Sequence, residues 1–492
     1  MRENLPVFIV FAPFLGALLC PLFSAFSRNL SRWITAGFTA VSLIFSVLLL
    51  LQIMEKGEAA YWFGGWKPPY GIEFSVDSLS GVILVLIGVI GLMTIIYGMP
   101  FLAKEKREVN AGYYAALSLL ISGLLGTTAT GDVFNLYVFL EITSLAGYVL
   151  IAMGGGRGVI SAFRYLLLGT IGASFYLLGI AFIYGETGTL NMVDMSGLVG
   201  PILTSGTTMI AMLFILLGFG LKMALFPLHG WQPEAHTNAH PGADPIIAGL
   251  MVKIPAYVMI RFFYYVFDAN AMHVSRMIVL MGIMAAVGVI YGSLKAVVQK
   301  DIRRMLAYSS IGQIGYIGIG ISLGNYYGLI GAVLHIINHA LMKSALFFGS
   351  GALKYKYGIV KLEKIGQVYR NMPKTMAVMV ICALSMIGIP PTAGFFSKWY
   401  LGLGALEAGA PIYIAVMIVS SLLNAIYFFR FFEKLFMEKP AEKEEKHPET
   451  KGELPWTMVF PLIFCGTAIL LLGFGNTWFV DVLSSVIQEV SG

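Results

Sequence analysis

The chain alternates long apolar runs with short polar segments. Each run is roughly 20 residues, the length a helix needs to cross a hydrocarbon core of ~30 Å. Fourteen runs can be read, at 5–25, 33–53, 79–99, 111–130, 132–153, 161–184, 205–226, 244–264, 272–294, 304–323, 327–350, 373–402, 411–432 and 456–477. The pattern predicts an all-α integral membrane protein with about 14 transmembrane helices. Pro and Gly interrupt the runs at 205–226 and 373–402. Helices 7 and 12 are therefore expected to be broken. The first run begins near Leu5 with no basic leader and no small-residue cleavage site, so it reads as a true span.

Composition supports this reading. Of 492 residues, 58% are hydrophobic and 12% charged, and the mean hydropathy is +0.81. A soluble chain of this size could not wet such a surface. The formal charge of +6 matters less than its placement. With the N-terminus outside the cytoplasm, the cytoplasmic loops hold 23 Lys and Arg residues and the outer side holds 5, namely Arg2, Lys56, Lys67, Arg261 and Arg276. That asymmetry predicts a multi-pass protein of the cell membrane with both termini outside. The cytoplasmic set includes Arg303 and Arg304. The longest polar stretch, Lys434 to Pro455, mixes both signs of charge with three prolines and reads as a solvated cytoplasmic linker rather than a nucleic-acid patch. Cys20, Cys382 and Cys465 lie far apart and match no iron–sulfur or zinc spacing. No cofactor is expected, and any redox chemistry must belong to another chain.

Four lysines remain inside apolar runs: Lys222, Lys253, Lys343 and Lys398. Glu141 lies mid-run in VFNLYVFLEITSLAGYVLIA, and His335 and His339 lie in AVLHIINHALMKSALFF. A charge at mid-bilayer costs at least ~2.5–3.5 kcal/mol, so such groups should face the bundle interior. His335, His339 and Lys343 repeat every four residues, which stacks them on one helix face over ~12 Å. A stripe of exchangeable protons suits a relay. A haem is a poor rival, because two histidines of one helix cannot sandwich a ring. Simpler readings exist for each residue. Lys343 and Lys398 could snorkel to the interface. The histidines could be core hydrogen-bonding groups. Glu141 and Lys222 could be a structural ion pair.

The prolines add a second clue. Lys222 precedes Pro227 by about one turn, and Pro390 and Pro391 precede Lys398. Broken helices at matching positions point to an ion site built from inverted repeats. Two five-helix repeats would take helices 4–8 (111–264) and 9–13 (265–432), after N-terminal helices 1–3 (1–110). The linker at 433–455 and a last helix at 456–492 follow.

Several segments are familiar: FLEITSLAGYVLI (139–151), GLKMALFPLHGWQPEAH (220–236), AGLMVKIPAYVMIR (248–261), AYSSIGQIGY (307–316), HALMKSALFF (339–348) and GIPPTAGFFSKWYL (388–401). They resemble the antiporter-like subunits of respiratory complex I, Mrp-type Na⁺/H⁺ antiporters and membrane-bound hydrogenases. The resemblance implies a proton-translocating or Na⁺/H⁺ antiporter-like subunit with other membrane subunits as partners. Glu141 would pair with Lys222 as a charge switch, and Lys253 would carry the path to the centre. His335 and His339 would bridge it, and Lys398 would end it toward the outer side. Rival readings are a stand-alone transporter of an organic solute and a passive scaffold. The segment 234–245 is rich in His; His236 and His240 at a four-residue spacing are expected in a loop near the water interface, not in a metal site.

Overall fold

The computed structural model describes residues 4–27, 29–103, 105–366, 368–437 and 452–491, with side chains described as far as 484. The linker expected at 433–455 lies largely outside these residues. Its far end is held, because Glu453 accepts hydrogen bonds from the Lys374 backbone N–H at 2.9 Å and the Thr375 hydroxyl at 2.8 Å.

The chain opens with α1 (Leu5–Ser24) and α2 (Leu30–Lys56). A two-stranded antiparallel hairpin follows, β1 (Ala59–Trp62) and β2 (Glu73–Val76), with Ala59 opposite Val76. The apolar pattern alone predicts only a loop there. Next come α3 (Ser78–Leu102), α4 (Arg107–Ala129), α5 (Val133–Ala152) and α6 (Arg157–Thr187). The short α7 (Met192–Val199) precedes α8 (Gly206–Lys222) and α9 (Gln232–Asn238). One irregular span then runs through α10 (Asp244–Ile246), a π-helical turn at Ile247–Met251, α11 (Ile254–Ile260) and a second π turn at Arg261–Val266. The rest is α12 (Met272–Val297), α13 (Ile302–Ser322), α14 (Tyr326–Tyr357), α15 (Pro373–Ile387), α16 (Ala393–Glu407), α17 (Pro411–Phe436), α18 (Trp456–Phe474) and α19 (Asn476–Ser491).

Eleven helices among the described residues are long and apolar enough to cross a membrane. The runs expected to be broken are broken. Within the seventh, α8 stops at Lys222 and helix resumes only beyond the run, in α9; the twelfth divides into α15 and α16. The run expected to end as a single helix at 456–492 instead divides at Gly475 into α18 and α19.

Helix packing follows from the absence of a hydrophobic force between helices in lipid, which leaves close contact and hydrogen bonds to hold them. On α2, Ser31, Thr35, Thr39, Ser42 and Ser46 form a buried seam at helical spacing. Ser42 donates to the Ile9 carbonyl at 2.6 Å, tying α2 to α1. The most enclosed elements are α14 and the span 244–266. Both carry buried titratable groups.

One side of the α15–α16 break packs closely against α18. A Cβ added to Gly473 would lie 2.0 Å from the Pro391 carbonyl oxygen and 3.0 Å from the Ala393 nitrogen. Both are backbone atoms and cannot swing aside. Gly473→Ala should therefore lower the stability of the purified protein by about 1–3 kcal/mol, the usual cost of overpacking. A thermal melt in mild detergent checks this; an unchanged midpoint would contradict the close approach.

Candidate functional site

Glu141 lies midway along α5, and Lys222 is the last residue of α8. The helix stops there because Pro227 cannot donate a backbone hydrogen bond. Freed carbonyls find other partners, and that of Leu221 accepts from the Trp231 indole N–H at 2.9 Å. Lys222 Nζ is 3.2 Å from Glu141 Oε1 and donates to Ser144 Oγ at 2.6 Å. Its side chain is 4% exposed and that of Glu141 23%. The negative end of the α8 dipole favours the ammonium as well.

Lys398 uses the second break in a similar way. Pro390 and Pro391 end α15, leaving its last carbonyls without helical partners. Lys398 Nζ donates to the carbonyls of Met386 and Ile387 at 3.0 and 2.9 Å and to Ser421 Oγ at 3.1 Å. It also lies 4.9 Å from the centre of the Tyr316 ring. A cavity of about 560 Å³, lined mainly by apolar groups such as Trp399 and Leu422, opens beside it. The ammonium is turned inward, so the snorkelling alternative does not hold.

The middle of the bundle holds Lys253, His335, His339 and Lys343, all fully buried. Pro255 deprives the preceding turn of a donor, and the backbone widens into the π turn at Ile247–Met251. Lys253 Nζ donates to the Ala248 carbonyl in that turn. Lys343 donates to the Leu306 carbonyl at 2.7 Å and Ser309 Oγ at 2.5 Å. It lies deep in α14 and does not reach the interface, so snorkelling fails here too. Among the described residues, neither Lys253 nor Lys343 has a carboxylate partner. The histidines divide. His335 is held on both sides, by Ser397 Oγ at 2.9 Å and Gln313 Oε1 at 3.0 Å. Both ring nitrogens of His339 are buried without a hydrogen-bond partner. The two rings are 5.8 Å apart, and Tyr316 lies 5.4 Å from His335. Thus His339, His335, Tyr316 and Lys398 form a continuous series. Lys222 and Lys253 share no hydrogen bond with each other.

Two buried charge clusters escaped sequence reading. His236 Nδ1 is 2.9 Å from Asp244 Oδ1, and Arg303 Nη2 is 2.6 Å from Asp244 Oδ2. Arg303 also donates to the Ala239 carbonyl at 3.0 Å. All three side chains are at most 2% exposed. Arg303, expected in a cytoplasmic loop, is therefore a core residue of α13. His236, expected near the water interface, is buried on α9. At the other end of the span 244–266, Arg261 pairs with Asp77 at 2.8 Å. Arg261, expected on the outer side at the end of the run 244–264, lies in the second π turn. The available signal was spacing: Arg303 shares a helix face with Leu306 and Ser310, whereas Arg304 does not. Among the described residues, no three His, Cys, Asp or Glu side chains cluster as a metal site.

Broken helices that offer carbonyls to buried lysines, around a protected line of titratable groups, define an antiporter-like membrane protein. Residues 130–424 match the family described as NADH:quinone oxidoreductase/Mrp antiporter, TM, and the chain belongs to that family. It is 42% identical to NADH-quinone oxidoreductase subunit N of Desulforudis audaxviator, over 99% of this chain and 98% of the relative. It is 29% identical to the D subunit of the Na(+)/H(+) antiporter of Alkalihalophilus pseudofirmus, over 96% and 94%. Its fold matches a chain of the membrane-bound sulfane sulfur reductase, an archaeal respiratory membrane complex, with a TM-score of 0.91 at 28% identity, over 99% and 97%.

The Asp244 cluster makes a direct stability prediction. Asp244→Asn leaves the Arg303 guanidinium buried without an opposite charge, a change that costs about 3–5 kcal/mol. Asp244→Asn/Arg303→Gln removes both charges and should recover much of that loss. Denaturation midpoints of the two variants test the pairing. Equal midpoints would mean that Asp244 does not compensate Arg303.

Proposed function

We propose that this chain translocates protons along Glu141, Lys222, Lys253, Lys343, His339, His335 and Lys398, as an antiporter-like subunit of a larger multisubunit membrane complex. The observation that carries the proposal is the set of buried lysines with no carboxylate beside them. An ammonium deep in the bundle without a counterion is expensive. Its protonation therefore responds strongly to any charge that moves nearby. That response is what a charge-driven relay needs and what a scaffold has no use for.

In this scheme the cycle begins at the Glu141–Lys222 contact. Separating the pair removes the opposite charge that keeps Lys222 protonated, and its proton passes toward Lys253. Lys253, Lys343 and the two imidazoles share one low-dielectric region, so a charge on one disfavours a charge on the next. His339 has two unpartnered nitrogens, one able to accept a proton while the other releases one. His335, fixed between Gln313 and Ser397, hands the proton on beside Lys398. Both termini lie outside in this reading. The two broken spans belong to inverted five-helix repeats, helices 4–8 and 9–13 of about fourteen. Partner subunits of the complex supply the work, or Na⁺ moving the other way does. A carrier of organic solutes would instead need a mixed-polarity pocket at the midplane, and the groups here form a line.

The test is dye-reported ΔpH in inverted vesicles containing the native assembly, with and without Na⁺. Glu141→Gln and Lys222→Ala should each reduce the signal to background while the assembly remains intact on a native gel. Na⁺ dependence of the wild-type signal identifies the coupling ion. Wild-type signal in either variant would end the proposal and favour a scaffold.

A further inference from the structure

Away from the buried line, a recess of about 270 Å³ opens between α6, α9 and the start of α13. Its lining includes Arg157, Arg164 and Arg304, with Glu234 the one carboxylate. Glu234 is engaged by Arg164 at 2.5 Å. Among the described residues, Arg157 and Arg304 have no ion-pair partner, so the recess carries an excess of two guanidiniums. No side chain caps the first turn of α6, which begins at Arg157 behind Gly156, so the positive end of that helix also faces this region. On the opposite wall the Asn238 amide is committed to Ser161 Oγ at 2.9 Å and the Glu234 carbonyl at 3.0 Å. The free capacity of the site is thus two planar, always-charged donor groups, the set that matches phosphate.

The neighbouring surface says which phosphate. Ile160 and Arg164 line the recess, and beyond them Leu167, Ile171 and Leu178 continue along the same face of α6. These last three are 49%, 48% and 44% exposed. From Leu167 to Leu178 the helix rises about 16 Å, close to half of a ~30 Å hydrocarbon core. A charged recess at one end of an apolar strip one leaflet long has the dimensions of a single phospholipid. We infer that the recess binds the headgroup of an anionic phospholipid, with its acyl chains along Leu167, Ile171 and Leu178. Basic pockets between membrane helices on the positively charged side favour such headgroups. The site shares no residue with the proposed proton path, so its test is independent of that reading.

The experiment uses the full chain, delipidated in detergent. Phosphatidylglycerol, phosphatidylcholine with the same acyl chains, and inorganic phosphate are added separately. Bound lipid is counted by native mass spectrometry, and thermal stability is followed in parallel. Phosphatidylglycerol should bind and raise the midpoint, and the other two should not. Arg157→Gln/Arg304→Gln should weaken phosphatidylglycerol binding by at least about tenfold, since charged hydrogen bonds are lost. Arg157→Lys/Arg304→Lys keeps the charge without the planar fork and should fall between. Equal retention of the two lipids, or full binding by the Gln variant, would overturn the inference. Protection by inorganic phosphate as strong as by phosphatidylglycerol would also overturn it, in favour of a free-anion site.

Discussion

An ammonium held away from water must find negative charge or oxygen close by, and the architecture of this bundle follows from how each lysine meets that need. Lys222 has Glu141, Ser144 and the end of α8. Lys398 has two carbonyls at the end of α15. Lys253 uses the carbonyl of Ala248 within a widened turn, and Lys343 that of Leu306 on a neighbouring helix. A regular helix has no spare carbonyls in its middle, because each accepts from four residues on. The α15 break supplies them to Lys398 and the π turn to Lys253, whereas Lys343 shares the Leu306 carbonyl of regular α13. Non-helical backbone is tolerated at membrane depth where it is enclosed by protein or lines a cavity: the span 244–266 lies at the centre of the bundle, and α18 packs against one side of the α15–α16 break, whose Ile389, Pro390 and Pro391 stay exposed.

Much of this was legible in the sequence, because run length and proline position map onto it almost directly. Helix breaks after Lys222 and before Lys398 could be read from Pro227 and from Pro390–Pro391. The residues Glu141, Lys222, Lys253, His335, His339, Lys343 and Lys398 stood out as charges or imidazoles in apolar runs. What was not legible depends on which way a residue faces at the end of a run. Arg303 and Arg304 are adjacent, yet one is buried against Asp244 and the other is exposed. Position along the chain does not distinguish them; the helical phase of α13 does. Asp244 opens its span, at a helix start where a carboxylate is favoured, and the packing of α3, α9, α13 and α14 around it encloses it. The β1–β2 hairpin is too short for an alternating pattern to declare it.

The buried charges fall into two kinds, and the division bears on what can move. At one end of the span 244–266, Asp244 is compensated by Arg303 and hydrogen-bonded to His236; at the other, Arg261 is compensated by Asp77. These anchors are separated by seventeen residues, about 26 Å of rise. A buried pair resists losing either charge, since the remaining one would be stranded. Such pairs hold position. Lys253 lies between them with no opposite charge of its own among the described residues. A group in that state can exchange its proton without leaving a partner uncompensated, provided that the local field changes in step. The span therefore joins two fixed ends to a responsive centre. This is a physical reason to seek translocation in the uncompensated lysines and in the partly exposed Glu141–Lys222 contact, and stability in the two pairs that anchor the span.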